Sequence, residues 1–238
     1  MRKLVIAHLY PQEMNIYGDR GNIIALSKRL QWRGLGAQVD SVEVGEVYDF
    51  RQADIVFGGG GQDRGQQLIA RDLQKRASNF HQAADEGVVM LTICGTYQLF
   101  GHGFITKDGH KLPGIGIFKA QTLGSDTRMI GNVIVKSDFG ELVGFENHSG
   151  QTSLEPGQEP LGQVSKGFGN NSHDKTEGAV YKNVFGTYLH GPLLPKNPKL
   201  ADVLIHRAIS RKFGQEELKT LDDSLELRAA ELAKARPR

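Results

Sequence analysis

Val88-Val-Met-Leu-Thr-Ile-Cys94-Gly95-Thr-Tyr-Gln98-Leu-Phe100 reads as a buried strand that stops at a reactive side chain and turns at once into a helix. Residues 88–93 are apolar apart from Thr92, and the run has the length of a buried strand. Gly95 permits a sharp turn, and a helix-like stretch follows. On such an elbow a nucleophile stands above the sheet edge, and the backbone N–H groups of the helix start face any developing oxyanion. The positive dipole end of a helix also favours a thiolate over a thiol. Cys94 is the chain's single cysteine. Taken alone, a cysteine after an apolar run is more often a small buried hydrophobe than a nucleophile, so its neighbours in the fold must decide.

Outward from this stretch, residues 4–10 form a short apolar strand. Ile23, Ile24, Leu26 and Leu30 then recur at helical spacing within residues 22–32, before a stop at Gly34. Further strands are expected at residues 38–44 and 54–57, and the run Gly58-Gly-Gly-Gly61-Gln-Asp63 follows the latter at once. Residues 66–84 read as a helix or two with Leu68, Ile69, Leu73, Ala77, Phe80 and Ala84 on the inner face. Strands alternating with helices predict an α/β fold, with a mostly parallel, doubly wound sheet and right-handed crossovers. Ligands bind such sheets beyond the carboxyl ends of the strands, where both the glycine run and Cys94 fall.

From about Gly114 the texture changes. Residues 116–122, 132–136, 142–145 and 179–188 look like strands separated by turn residues, so the second half is expected to be mixed or antiparallel. Residues 147–176, rich in Gly, Asn, Ser and Gln, are expected as long loops near the site. A proline-rich break at 192–198 precedes a helix over 200–213 with Val203, Leu204 and Ile209 inward. Residues 1–213 form the expected domain, and 214–238 a C-terminal helical tail whose Ala, Leu, Glu and Lys spacing reads as a solvated helix.

With 238 residues the chain can bury a sizeable core, and 39% hydrophobic with 24% charged content places it among ordinary soluble proteins. A net charge of +2 gives no argument for nucleic acid. One cysteine excludes an internal disulfide framework and fits a reducing, cytoplasmic setting. The N-terminus enters its first strand without a signal-like segment, and no stretch is long enough to span a membrane.

A thiolate nucleophile needs a base or cation beside it. Of eight histidines, His190 has the suggestive context: it closes Val184-Phe-Gly-Thr-Tyr-Leu-His190-Gly191-Pro192, a strand end followed by a glycine turn. Two strand ends of one sheet bring such residues together. His148, in Phe145-Glu-Asn-His148-Ser-Gly, is the rival, while His102, His110 and His173 lie in polar or glycine-rich loops. No histidine and carboxylate set has metal-ligand spacing, so no metal site is expected. The run Gly58–Gly61 lacks the Gly-Lys-Ser/Thr ending of a triphosphate loop and the dinucleotide spacing. Its glycines suit a backbone N–H donor held close to a reacting carbonyl.

Strand then Gly58 to Asp63, strand then Thr92-Ile-Cys94-Gly-Thr-Tyr-Gln98, and late Gly186-Thr-Tyr-Leu-His190-Gly together resemble the class I glutamine amidotransferases of the cobyric acid synthase-like group. Asn15-Ile-Tyr-Gly-Asp-Arg-Gly-Asn22, Val143-Gly-Phe-Glu-Asn-His148 and Tyr188-Leu-His190-Gly-Pro narrow the resemblance to the group's small glutaminase subunits, over residues 3–213. The resemblance implies the three-layer fold of that class and hydrolysis of L-glutamine. It places Cys94 as nucleophile, forming a γ-glutamyl thioester, and His190 as proton donor to ammonia and then base for water. It further implies an oxyanion hole from Gly95 with Gly60 and Gly61, substrate held by Gln98, and Arg128 on the substrate α-carboxylate.

The implied partner is a Mur ligase-like, ATP-using synthetase subunit in a heterodimer, which activates the D-glutamate of lipid II for conversion to D-isoglutamine. No cofactor is expected in this chain; ATP and any metal fall to the partner. Many class I members carry His-Pro-Glu, whose glutamate orients the histidine, whereas this chain has His190-Gly191-Pro192. The missing acid is expected from Glu146, Asp174 or the partner, with low activity of the isolated chain as the consequence. The alternatives are a cobyrinate-type or other cofactor-pathway glutaminase and a regulatory subunit that kept the fold without catalysis.

Overall fold

The computed structural model describes residues 2–61 and 63–236, with only the backbone of residues 63–65. Gln62 of the glycine run and the last two residues of the tail lie outside the described residues. In chain order the elements begin β1 (Lys3–Leu9), α1 (Arg20–Trp32), β2 (Gly36–Val42), β3 (Ile55–Gly58), α2 (Asp63–Asp85), β4 (Val89–Ile93) and α3 (Gly95–Phe100). Then follow β5 (Gly103–Ile105), β6 (Lys111–Pro113), β7 (Ala120–Ser137), β8 (Gly140–Leu154), β9 (Gly162–Lys166), β10 (Thr176–Glu177), β11 (Ala179–Tyr181), β12 (Val184–Thr187), α4 (Pro198–Phe213) and α5 (Ser224–Ala235).

The central sheet has the order β11-β12-β4-β3-β1-β2 and is parallel except for the edge strand β11. Strands β3 and β4 are buried at every residue, as a parallel sheet covered on both faces requires. From β1 the chain winds to β2, and from β3 it winds the opposite way to β4. Right-handed crossovers therefore put α1 and α2 on opposite faces and leave a switch point between β1 and β3. Four segments leave this carboxyl edge together: residues 10–19 after β1, the glycines after β3, Cys94 after β4 and residues 188–190 after β12.

The second sheet runs β10-β9-β7-β5-β6, with β8 on β7, and is antiparallel apart from the β5–β7 pair. Of the strand expected at 116–122 only residues 120–122 are in a strand, and together with the one expected at 132–136 they belong to one long β7 with a register break between Gly124 and Met129. Residues 147–154, expected as loop, continue β8, because the ladder with β7 satisfies their backbone groups and overrides weak strand propensity. Residues 179–188 form a hairpin that turns at Lys182, which has φ 52°. On the helices, Leu68 and Ile24 face solvent while Ile69, Leu73, Phe80, Leu26 and Leu30 enter the core.

The tail helix docks instead of lying free in solvent. Arg29 of α1, only 3% exposed, takes Asp202 of α4 through Nε and Nη2, both at 2.7 Å, and Asp223 before α5 through Nη1 at 2.6 Å. Arg33 adds a bond to Asp202 at 2.7 Å, and Lys234 of α5 reaches Glu141 of β8 at 2.5 Å. Burial opposes the charge on Arg29, and the two carboxylates more than restore it. Arg29→Met is expected to destabilise the chain by about 2 kcal/mol, since the carboxylates left behind are partly hydrated. Urea unfolding checks this, and unchanged stability would show the tail contact to be idle.

Candidate functional site

Cys94 follows β4 directly, with φ 52° and ψ −106°, a positive-φ conformation that a non-glycine residue adopts at a cost. It is held there from both sides: its N–H donates to Thr187 O at 2.8 Å, and its carbonyl accepts Gln98 N at 2.9 Å. Thr96 ties the elbow to the glycine run, donating through Oγ1 to Gly59 O at 2.6 Å. A methyl group on Gly58 would lie 2.6 Å from Thr96 Cγ2, so glycine is required for this approach.

His190 reaches the same place from β12. In register Thr187 pairs with Ile93, so both chains leave the sheet at one level. His190 also forms a two-bond antiparallel bridge with Phe145 of β8, which fixes its backbone. Its Nδ1 bonds Asp19 Oδ1 at 3.2 Å, and its Nε2, without a hydrogen-bond partner among the described residues, is the ring nitrogen left for the neighbouring Cys94. Both His190 and Asp19 are fully buried. Burial works against charge on His190, but the negative charge of Cys94 and the bond to Asp19 outweigh it and push the pKa up to about 10. The arrangement is a thiol, an imidazole and a carboxylate in sequence, Cys94–His190–Asp19.

The acid is therefore in this chain, and neither of the expected candidates supplies it. Glu146 accepts from Phe168 N at 3.0 Å and Gly169 N at 2.9 Å, holding a turn. Asp174 takes Asn171 and Thr176 within its own loop. Asp19 stands in Asn15-Ile-Tyr-Gly-Asp19-Arg-Gly-Asn22, at the end of the loop that joins β1 to α1; the signal that could have found it is a polar residue in a loop at a parallel strand's carboxyl end. Its second oxygen accepts Gly60 N at 2.8 Å. That amide is thus committed to Asp19 and does not serve an oxyanion, contrary to the sequence expectation for Gly60. Gly61 N lies 3.3 Å from the Cβ position of Gly95, and Gly95 N–H stands in the first turn of α3, without an intrahelical acceptor. Gly61 and Gly95 thus approach each other closely beside Cys94.

A cavity of about 390 Å³ opens over Cys94, lined by Tyr17, Gln66, Gln98, Phe104, Arg128 and His148 among others. Gln98 is buried, donates to Tyr188 Oη at 3.0 Å and accepts Gln66 Nε2 at 3.5 Å. Arg128, exposed at the rim beside the β7 register break, donates through Nε to Asn147 Oδ1 at 2.6 Å. The rival histidine, His148, is a wall. Its ring stacks on Tyr188 at 3.6 Å, its Nδ1 bonds Gly150 O at 2.9 Å, and burial pushes its pKa down to about 3. His102, His110 and His173 lie away from the cavity lining. No group of three or more metal-ligating side chains occurs among the described residues.

Residues 5–198 match the CobB/CobQ-like glutamine amidotransferase domain. The chain is 42% identical over 233 residues to the lipid II isoglutaminyl synthase (glutamine-hydrolyzing) subunit GatD of Staphylococcus aureus, covering 98% of this chain and 95% of that one. The subunit of the same name from Streptococcus pneumoniae is also 42% identical, with 96% and 90% covered. A probable cobyric acid synthase of Methanopyrus kandleri is 36% identical over 141 residues, 50% of this chain and 27% of that protein. Among solved structures, a glutamine amidotransferase superposes with a TM-score of 0.57 over 85% of this chain and 98% of its own. A second, from Thermotoga maritima, gives 0.53 over 96% and 90%. At 14% identity these two speak for the fold alone.

Asp19→Asn is expected to slow alkylation of Cys94 by iodoacetamide about tenfold at pH 7, because the imidazolium beside the sulfur loses its carboxylate. Mass spectrometry of the modified chain against time measures this, and an unchanged rate would show that Asp19 has no influence on Cys94.

Proposed function

The chain belongs to the CobB/CobQ-like glutamine amidotransferases, and from that membership we propose that it is the glutaminase subunit of a lipid II isoglutaminyl synthase. The observation that carries the catalytic part is the Cys94–His190–Asp19 alignment, whose cysteine lines the cavity while the other two are buried behind it. The acceptor rests on the GatD relatives, which match nearly end to end, whereas the cobyric acid synthases are matched over about a quarter of their length.

In the proposed reaction the Cys94 sulfur attacks the side-chain carbonyl carbon of L-glutamine. Negative charge passes to the carbonyl oxygen, and the Gly95 and Gly61 amides donate to it from fixed positions, without reorganising at the moment of reaction. His190 gives its Nε2 proton to the departing nitrogen, which leaves as neutral ammonia, and a γ-glutamyl thioester remains. His190, now neutral, takes a proton from water as that water attacks the thioester; Cys94 departs as thiolate and glutamate is released. Asp19 holds Nδ1–H and so keeps Nε2 aimed at sulfur through both steps, as the third member of a nucleophile–histidine–acid set does. Arg128 binds the substrate α-carboxylate at the rim, and Gln98 forms the wall along the substrate chain.

Ammonia must reach its acceptor unprotonated, since ammonium has no lone pair with which to attack. The reaction therefore calls for a synthetase partner, a Mur ligase-like subunit that binds ATP and any metal and activates the D-glutamate α-carboxyl of lipid II. No helix among the described residues is long and apolar enough to cross a membrane. A cytoplasmic heterodimer is the assembly this reading requires. With Asp19 in place, the expectation that the isolated chain lacks an acid loses its ground; the partner's contribution is the acceptor reaction.

Cys94→Ala is expected to abolish glutamate release, and Asp19→Asn to lower kcat by about 10²- to 10⁴-fold. Arg128→Ala is expected to raise KM about 10- to 100-fold with a smaller change in kcat, since it binds the part of the substrate that does not react. Because catalysis uses protonated His190, activity falls as pH rises through about 10. That limb moves down by roughly one unit or more in Asp19→Asn, where the carboxylate no longer holds the proton. Glutamate release by the native complex, with lipid II amidation followed in parallel, tests the reading; glutamine hydrolysis without amidation of lipid II would redirect the acceptor.

A further inference from the structure

Tyr17 is not part of the nucleophile–histidine–acid set, yet it touches both ends of the site. It occupies a single 3-10 turn, Ile16–Gly18, with φ 57° and ψ 24°, so this bulky residue is held in the left-handed region. The turn is pinned to the glycine run, Ile16 N donating to Gly60 O at 3.1 Å while Gly60 N donates to Asp19. Asn15 Oδ1 accepts Arg20 N at 2.9 Å and closes the turn from outside. From this fixed backbone the Tyr17 ring packs edge-on against the His190 imidazole, with centroids 5.0 Å apart at 73°. Its hydroxyl accepts from Arg128 Nη2 at 3.4 Å. Tyr17 is 43% exposed, whereas His190 behind it is wholly buried. One side chain thus forms the outer wall over the histidine and a stop for the arginine.

We propose that Tyr17 is a positioning residue with two separable parts: its ring keeps water from the His190–Asp19 pair, and its hydroxyl sets Arg128 to receive the α-carboxylate of the substrate. The backbone geometry fits this, because a positive φ persists only where surrounding hydrogen bonds hold it, and those bonds fix where the ring stands. Arg128 is held at two points, Asn147 on Nε and Tyr17 on Nη2, which orients the flat guanidinium for paired hydrogen bonds to a carboxylate. Loss of the ring admits water to a charged pair that depends on a low-dielectric setting. The inference rests on the glutamine reading, since only there does Arg128 have a carboxylate to bind.

Two probes that react at Cys94 separate the parts: a diazoketone analogue of L-glutamine, which carries the α-amino acid group, and iodoacetamide, which does not. In the full chain within its native complex, Tyr17→Phe is expected to slow inactivation by the diazoketone about 3- to 10-fold, the effect of one long charge-assisted hydrogen bond. Its effect on iodoacetamide alkylation is at least about threefold smaller, as a loss confined to the carboxylate site requires. Tyr17→Ala is expected to slow both reactions about tenfold, because the His190 pair is opened to water. Equal slowing of both probes by Tyr17→Phe, or no slowing of either by both variants, overturns the proposal. Failure of the glutamine reading looks different: the wild-type complex would react with iodoacetamide at Cys94 and not with the diazoketone.

Discussion

The fully buried carboxylate of Asp19 bonds two things at once, the imidazole of His190 through Oδ1 and the Gly60 amide through Oδ2. This one group ties the loop after β1 to the loops after β3 and β12. Taking a carboxylate out of water is costly unless its lone pairs are met by donors and a positive charge stands nearby. Here the backbone amide and the imidazolium do both. The consequence is geometric: a methyl group on Gly60 would lie 2.7 Å from His190 Cε1, 3.3 Å from Cys94 Cβ and 3.5 Å from Asp19 Oδ2. Three functional side chains converge on a backbone position that only glycine can occupy.

Around that junction the chain tolerates strain and close approach. Cys94 and Tyr17 both have positive φ, at 52° and 57°, and both belong to loops pinned at two ends. Strain of this kind persists where surrounding bonds over-determine the backbone. Thr96, reaching back to Gly59 O, and Thr187, receiving Cys94 N, provide those bonds at the elbow. The strained elbow presents sulfur to the cavity while leaving Cys94 only 9% exposed.

The second sheet supplies the other wall. Strand β8 bridges His190 at Phe145 and continues into Asn147, His148 and Gly150, all of which line the cavity. A Cβ on Gly150 would meet Gln98 Nε2 at 2.5 Å, so the two sheets close on each other at this point. Hydroxyls of Thr122, Thr152 and Tyr188 form a buried chain that ends on Gln98. Gln98 is thereby held rigid from the antiparallel side, though it belongs to a helix of the parallel one.

Apolar runs of strand length and glycines beyond them were enough to read the parallel half and the Cys94 elbow. Both are local properties: period, length and turn chemistry sit within a few residues of one another. The pairing of Cys94 with His190 was legible for the same reason, since each closes a strand before a glycine. What neighbours in sequence could not carry was decided in three dimensions. Residues 147–154 are mostly polar, and only the ladder from β7 makes them a strand that walls the cavity. Glu146 and Asp174 had the right chemistry but their oxygens are taken by nearby amides. The acid came instead from Asp19, 171 residues before His190 in the chain. By itself, then, the sequence determined the strand ends and the cysteine and histidine they present. Only the tertiary structure decided which carboxylate, which amides and which wall meet there, because those choices depend on sheet order and on which hydrogen bonds remain free after packing.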